Sequence, residues 1–565
     1  MQSASPASLG MTRRNLVRAL AAGSPYASVI GRAFAEPTRS DGSPRFGFDD
    51  VVRRARDLAA APFIEAPPHA PYGIEGLEYD SWRDIRFKPD RAIPLSASKA
   101  VRVEMFHLGF LYKRAIMVNL IQNGIVSPVL YSPTYFDYGR VKLSKPLPID
   151  TGFAGFRLHY PLNDTHVFDE VISFLGTSYF RFLGRDQQYG LSARALCVEA
   201  GTEKESFPFF REFWLETPVS GDGHATIYAL LDGEAATGAY RFDLTPGQQT
   251  TLDVETTLFP RRAGAKFGLA PLTSMFLTGE NDHRVRDGFR AELHDSDGLL
   301  MLMGADEWIW RPLANPAFER TTSFLDKSVK GFGLMQRDRS FESYQDLELG
   351  YESRPSYFVE PKGDWGPGRV ELIELSTPDE TNDNIVASWV PAVAPASLEP
   401  FSYSYRLTAY LDDARLSPNG RAVNTFMAPS RALGSSEKDS PGTRRFMVDF
   451  ASGDLAYYAA DPSQVKVVAT ASNGAILRAR LAANPHIDGL RAMFDVAVKP
   501  GETSDLRAYL RAGSRSLTET WTFPWTAPTA PTSQIRVESP RVRKAVTQEA
   551  PDMHAAAFVR QPTSN

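Results

Sequence analysis

"TTLDVETTLFPR" occupies residues 250–261, where Leu252, Val254, Thr256 and Leu258 alternate with Asp253, Glu255 and Thr257. Successive side chains on a strand point to opposite faces of its sheet, so this period of two predicts a half-buried antiparallel strand. "ATIYALLDG" (225–233) and "GAYRFDLTPG" (238–247) precede it at hairpin spacing. The same patterning runs through about 370 residues and predicts a large sandwich of two sheets, not a parallel α/β fold. The 41 Gly and 41 Pro, with long helical patterns almost absent, agree with an all-β chain rich in turns.

Outward from that strand, the organisation changes at both ends. After "YRLTAYLDD" (405–413) the periodicity fades, and residues 416–442 read as a linker with one strand at most. Short strands at regular spacing follow: "RRFMVDF", "VKVVATAS", "ILRARLAA", "GLRAMFDVAV", "DLRAYLRAG" and "LTETWTFPW". That is the pattern of a small immunoglobulin-like sandwich, placed at 418–527 after a first domain at 44–415. Residues 528–565 are Pro, Thr and Ala-rich, then polar, and predict a disordered tail. One helix opens the first domain in "FGFDDVVRRARDLAAAPF" (46–63), with Asp49 as its cap, Val51, Val52, Ala55, Leu58 and Ala59 on one face, and Pro62 as its stop.

The first 35 residues are of another kind. Arg13 and Arg14 precede a short apolar stretch, and "AFA" at 33–35 offers a small-x-small cleavage site. These features predict a twin-arginine export signal. The stretch is too short to span a bilayer and no later run is long enough, so no transmembrane segment is expected in the mature chain. The signal holds four Arg and no acid, leaving the mature protein more acidic than the whole chain's −5. That balance argues against nucleic acid and suits a neutral substrate. The lone Cys197, in "ARALCVEA", reads as a buried strand residue.

A G-x-S-x-G elbow, a Walker phosphate loop, an H-E-x-x-H pair and a Cys cluster are all missing. Two acidic clusters remain as candidates for chemistry. "ELHDSDGLL" sets His294, Asp295 and Asp297 between apolar residues, and "STPDETNDNIVASWVP" (376–391) packs Asp379, Glu380 and Asp383 together. Asp, Ser, Asn and Gly are also what a tight turn selects, so each has a purely local explanation. Neither loop has the glycine and distal Glu of a calcium hand, and no metal or cofactor is expected. Glycoside cleavage needs a protonated carboxyl beside the scissile oxygen and a base for water, the acid being kept protonated by burial or by neighbouring anions. Asp379 has that company in Glu380 and Asp383. Aromatic residues surround these stretches in sequence: Trp308, Trp310, Tyr351, Tyr357, Phe358 and Trp365. Flat sugar faces stack on such rings.

These stretches, with "FDYG" (136–139), "GFAGFRL" (152–158), "FLGTSYFR" (174–181), "YGLSARAL" (189–196), "LAPLTSMFLTGEN" (269–281) and "FGLMQRDRSFESYQDLE" (332–348), resemble the periplasmic glucan biosynthesis proteins of the OpgG and OpgD type. The twin-arginine signal resembles the D-type member. The resemblance covers nearly all of the mature chain and implies a mutarotase-like sandwich joined to an immunoglobulin-like one. It implies a periplasmic protein acting on the β-1,2-linked backbone of osmoregulated glucans with anomeric inversion, by internal hydrolysis, by transfer or by cyclisation. Carried over, the general acid falls on Asp379 and the base on Asp297 or Asp295, with a long proton path running partly through substrate. Trp365, Tyr351, Tyr357, Trp308, Glu380, His294 and Arg337 are the expected substrate contacts. Partners expected are β-1,2-glucan, a membrane glucosyltransferase and a second copy of the chain. A non-catalytic glucan-binding accessory factor is the rival expectation, and sugar epimerisation a weaker one resting on fold analogy alone.

Overall fold

The computed structural model describes residues 45–65, 71, 73–95, 100–216, 223–282, 288–413, 415–431 and 440–529. The export signal expected at 1–35 and nearly all of the expected tail lie outside these residues, as does part of the expected linker. The chain is all-β and built of sandwiches. Strand Thr250–Pro260 pairs antiparallel with Ala236–Thr245 on one side and Phe401–Tyr410 on the other. Leu252, Val254 and Leu258 enter the core as the alternation requires, and Glu255 is exposed. The alternation fails at the strand's end, where Thr257 and Phe259 are buried as well.

Phe259 is covered by the helix Phe48–Ala59, which lies across the outer face of this sheet, and the Thr257 hydroxyl pairs with that of Ser402 (2.9 Å). Val51, Ala55 and Ala59 pack there with Trp214, Tyr228, Ala239 and Phe259. Thr237 Oγ1 donates to Ala55 O (2.7 Å) and Arg261 Nη2 to Leu58 O (2.7 Å). Gly47 occupies the cap position, and Asp50, not Asp49, accepts its N–H (2.9 Å). An acid in the first turn satisfies an orphan donor and meets the positive end of the helix.

The partner sheet runs through strands Gly155–Asp164, Val167–Leu175, Tyr179–Phe182, Phe267–Ser274, Ile385–Pro391 and Gly368–Glu374, among others. The two sheets meet in one aromatic core. Phe174 contacts Phe213 and Phe242 of the first sheet at centroid distances of 5.2 and 5.3 Å, and Phe182 stacks on Tyr357 at 4.6 Å. Cys197 lies buried in strand Leu196–Val198, where burial pushes its thiol up to about 11. Among the described residues no helix is long and apolar enough to cross a membrane.

Beyond residue 418 a second, smaller sandwich follows. Strands Arg421–Ala428, Thr443–Ala451, Gly489–Ala497 and Ala475–Asn484 form its four-stranded sheet. The first of these is the one strand among the described residues of the expected linker. Across from it lie Val465–Ala471, Thr503–Ala512 and Thr520–Thr526, and the last pairs in parallel with Trp308–Pro312 of the large sandwich, Trp310 opposite Trp521. Hydrogen bonding is therefore continuous across the boundary expected at 415–418. So is the core: Phe446, Phe494, Trp521 and Phe523 pack with Leu300, Trp310, Phe358 and Tyr410. A chain ending at residue 415 uncovers that apolar surface, and an exposed patch of this kind drives association. It is expected to be insoluble or aggregated, measured by size-exclusion chromatography and near-ultraviolet dichroism; a monodisperse native-like fragment would refute the shared core.

Candidate functional site

Asp379 sits in the loop 375–384, which joins the antiparallel strands Gly368–Glu374 and Ile385–Pro391. Two buried asparagines fix its base. Asn384 donates to Phe276 O and Leu375 O (both 3.0 Å) and accepts from Phe276 N (2.8 Å). Asn315 accepts from Thr377 N and donates to Thr377 O (both 3.0 Å). Above this base Asp379 is exposed, with Oδ1 accepting the N–H (3.0 Å) and the hydroxyl of Thr381. This is an Asx turn, which shapes the loop and leaves the second carboxylate oxygen out of the turn. Glu380 is paired with Arg290 (2.6 Å), whose other nitrogen reaches Asp346 (3.2 Å). Of the three acids expected to crowd one another, Asp379 is thus exposed, Glu380 is neutralised and Asp383 is half-buried.

The second cluster follows the short ladder between Phe276–Thr278 and Leu293–His294. "DSDG" is more than a turn here: Gly298 begins strand Gly298–Leu302, and a Cβ on it would stand 2.2 Å from the Trp310 ring. Only glycine permits that approach. Asp295 is fully buried and ion-paired with Arg354, whose guanidinium lies 3.7 Å over the ring of Tyr351. Asp297 is held differently. Its Oδ2 accepts the backbone N–H groups of Arg337 (2.8 Å) and Asp338 (2.9 Å), while Oδ1 is buried with no hydrogen-bond partner among the described residues. Burial pushes this carboxyl up, against the pull of His294 and of those two N–H groups. A backbone bond from Leu313 N to Asp297 O (2.8 Å) ties the cluster to the segment that also carries Asn315. One framework therefore bears both acidic loops.

His294 is wholly buried, bonded through Nδ1 to Gln336 Oε1 (2.8 Å) and through Nε2 to Glu292 Oε2 (2.9 Å). It offers no atom to a substrate. Burial opposes its charge, but the Glu292 hydrogen bond and the carboxyls of Glu292, Asp297 and Glu280 hold its pKa up at about 9. Glu280 accepts Thr425 N–H (3.0 Å) from the smaller sandwich, and burial with the neighbouring Glu292 and Asp297 pushes it up to about 8. Sequence reasoning missed Glu280, Glu292 and Gln336. Each is a single polar residue at a strand end, and only their convergence on His294 marks them out.

The remaining expected contacts scatter. Tyr357 is a core residue, its hydroxyl donating to Phe182 O (2.6 Å) and accepting Phe182 N–H (2.8 Å). Tyr351 is buried, stacked on Tyr344 at 5.6 Å, close beneath the Asp295–Arg354 pair. Arg337 joins the two sandwiches: its guanidinium lies 3.6 Å over Trp310, grips Glu519 (2.6 and 3.1 Å) and donates to Ala422 O (2.7 Å). Trp308 packs near Phe358 at 6.1 Å. Trp365 precedes strand Gly368–Glu374, whose far end leads into the Asp379 loop; that strand spans roughly 20 Å. Trp365 is half-buried there, donating to Ser404 O (3.1 Å). The density of aromatics in the sequence is not a density around one cleft.

Comparison with known proteins bears on this arrangement. The family described as "Periplasmic glucan biosynthesis protein, MdoG" matches residues 46–525. A "Probable glucans biosynthesis protein D" of Shewanella oneidensis is 42% identical over 480 residues, covering 84% of this chain and 87% of that one. A "Glucans biosynthesis protein G" of Ralstonia nicotianae is 42% identical over 481 residues, covering 85% and 95%. A "Glucans biosynthesis protein D 1" of the same organism is 41% identical over 542 residues, covering 92% and 99%. D-type and G-type relatives thus match at the same level. With the match running from the first turn of the helix to the last strand, this chain belongs to the periplasmic glucan biosynthesis protein family and has its role in periplasmic glucan biosynthesis.

Proposed function

We propose that the protein acts on the β-1,2-linked backbone of periplasmic glucans, cutting it with inversion and passing the cut end to water or to a sugar hydroxyl. Asp379 gives its proton to the departing glycosidic oxygen. The attacking oxygen reaches the anomeric carbon from the opposite face, and its proton passes, partly through substrate hydroxyls, to Asp297. The observation that carries this reading is the contrast between the two carboxyls. Asp379 stands exposed on a loop with a rigid base, and Asp297 has one oxygen fixed by two N–H groups and one buried and unpartnered. A buried acceptor without a partner is costly, and use in catalysis is one reason for which such a group is kept. Asp297 suits the base better than Asp295, which is enclosed and bound to Arg354. Inverting enzymes use this division into one acid and one base.

The test is to incubate the mature protein with linear β-1,2-glucan and follow chain length, reducing ends and product anomer together. Shorter chains with rising reducing ends of inverted configuration are expected for hydrolysis, and altered products without new ends for transfer or cyclisation. Bound but unaltered glucan would overturn the reading in favour of an accessory binder.

A further inference from the structure

His294 is buried at 0% exposure in a site crowded with carboxyls, and the reaction proposed above gives it no proton to move. Its state can be read from its neighbours. Gln336 Nε2 donates its two hydrogens toward His294 O (2.9 Å) and the Tyr344 hydroxyl (2.9 Å), with Tyr351 O further off at 3.4 Å as a shared acceptor. Two of these partners are carbonyls and only accept, so the amide cannot be turned over. Its oxygen must then face Nδ1, which carries a hydrogen. Nε2 faces the Glu292 carboxylate, an acceptor, and carries the other. Phe276 stacks flat on the ring (5.3 Å, 7°) and Tyr344 meets it edge-on (5.4 Å), which fixes its plane.

We infer that His294 is a permanent imidazolium and a positioning residue for Asp297: its charge keeps that buried carboxyl ionised, and Glu292 keeps the charge on His294. This rests on the reading of Asp297 as the base. The charged and titratable groups facing the pair are Glu292 beside it in the chain, Glu280 after strand Phe276–Thr278, Tyr344, and Arg337, Asp338 and Arg339 after strand Gly331–Met335. Among them Arg337 turns its guanidinium to Glu519, and Arg339 donates to backbone carbonyls of Leu411, Glu352 and Arg354. Both arginines thus spend their guanidinium hydrogens elsewhere, and His294, held by Glu292, is the imidazolium that acts on Asp297 beside them. Its pKa of about 9 agrees with a charge that persists through neutral pH. A base works only when ionised, so loss of the imidazolium raises the Asp297 pKa and moves the acid limb of the rate profile upward.

The experiment uses the full mature chain with 15N-labelled histidine and 13C-labelled aspartate carboxyls, in wild type, His294→Gln and Glu292→Gln. In wild type both ring nitrogens of residue 294 are expected to stay protonated from pH 5 to pH 8. In Glu292→Gln the ring is expected to titrate inside that range. The carboxyl shift of Asp297 is expected to titrate at least one unit higher in His294→Gln, with the acid limb of kcat moving by the same amount and KM changed less than twofold. A neutral ring at pH 7 in wild type overturns the inference whatever the enzymology. A charged ring with an unmoved Asp297 titration in both variants overturns the positioning role. Since ring and carboxyl signals need no turnover, a protein without glucan activity would refute the proposed reaction while the charge assignment stood or fell separately. Should His294→Gln fail to fold, Glu292→Gln keeps the ring and decides the matter alone.

Discussion

Asp379→Asn is expected to lower glucan turnover by about 10²–10⁴-fold, the usual contribution of a positioned general acid. Asparagine keeps a side-chain oxygen that can accept from Thr381 N–H, so the Asx turn and the loop survive. Asn315 and Asn384 hold the loop's base and do not touch the substituted group. What disappears is the proton that the departing oxygen needs. Glucan affinity, measured by calorimetry on the inactive variant, is expected to stay within a few-fold of wild type. Reducing-end release is the readout for turnover. A variant retaining half its activity would remove Asp379 from the chemistry and leave it as a turn residue.

Glu374→Ala is expected to cost about 3–5 kcal/mol of stability, because it strands a buried cation. Glu374 and Arg311 are both fully buried and joined at 2.7 Å, and burial pulls Arg311 down to about 10 in spite of that partner. The same carboxylate accepts Arg320 Nε (2.9 Å) and Ala314 N–H (2.9 Å). Alanine leaves three donors without their acceptor, two of them charged. Urea denaturation followed by tryptophan fluorescence measures the loss, and a change under 1 kcal/mol would contradict this account. Glu374 ends the strand that leads into the Asp379 loop, and Ala314 neighbours Asn315. Near-wild-type turnover in whatever fraction remains folded is therefore not expected.

The strands were legible because alternation is a local signal: Leu252, Val254 and Leu258 announce their face without reference to the rest of the chain. Phe259 was not, since its burial depends on a helix about two hundred residues earlier, and nothing in a period of two encodes a distant cover. The acidic stretches were legible as stretches, and the resemblance named Asp379 and Asp297 within them. Their pairing was hidden. Glu380 and Asp379 are neighbours in sequence, yet one is bound to Arg290 and the other faces solvent. Trp365 and Tyr357 misled for a related reason: a ring's position along the chain does not say which end of its strand, or which side of its sheet, it occupies. His294 was visible as a polar residue among acids, but its isolation from any ligand follows from Gln336 and Glu292 together.

Strand Thr520–Thr526 has a consequence for the order in which the molecule can be made. It docks beside Trp308–Pro312, and Thr520 Oγ1 reaches Glu307 across 213 residues of chain. While the polypeptide is being synthesised, that edge of the large sheet waits for a partner that emerges almost last. An uncovered edge beside Trp310 is a template for pairing with the wrong chain. Closing so long a loop is slow. Among the described residues Thr520–Thr526 is the last strand to leave the ribosome, and until it does this edge of the large sheet has no partner.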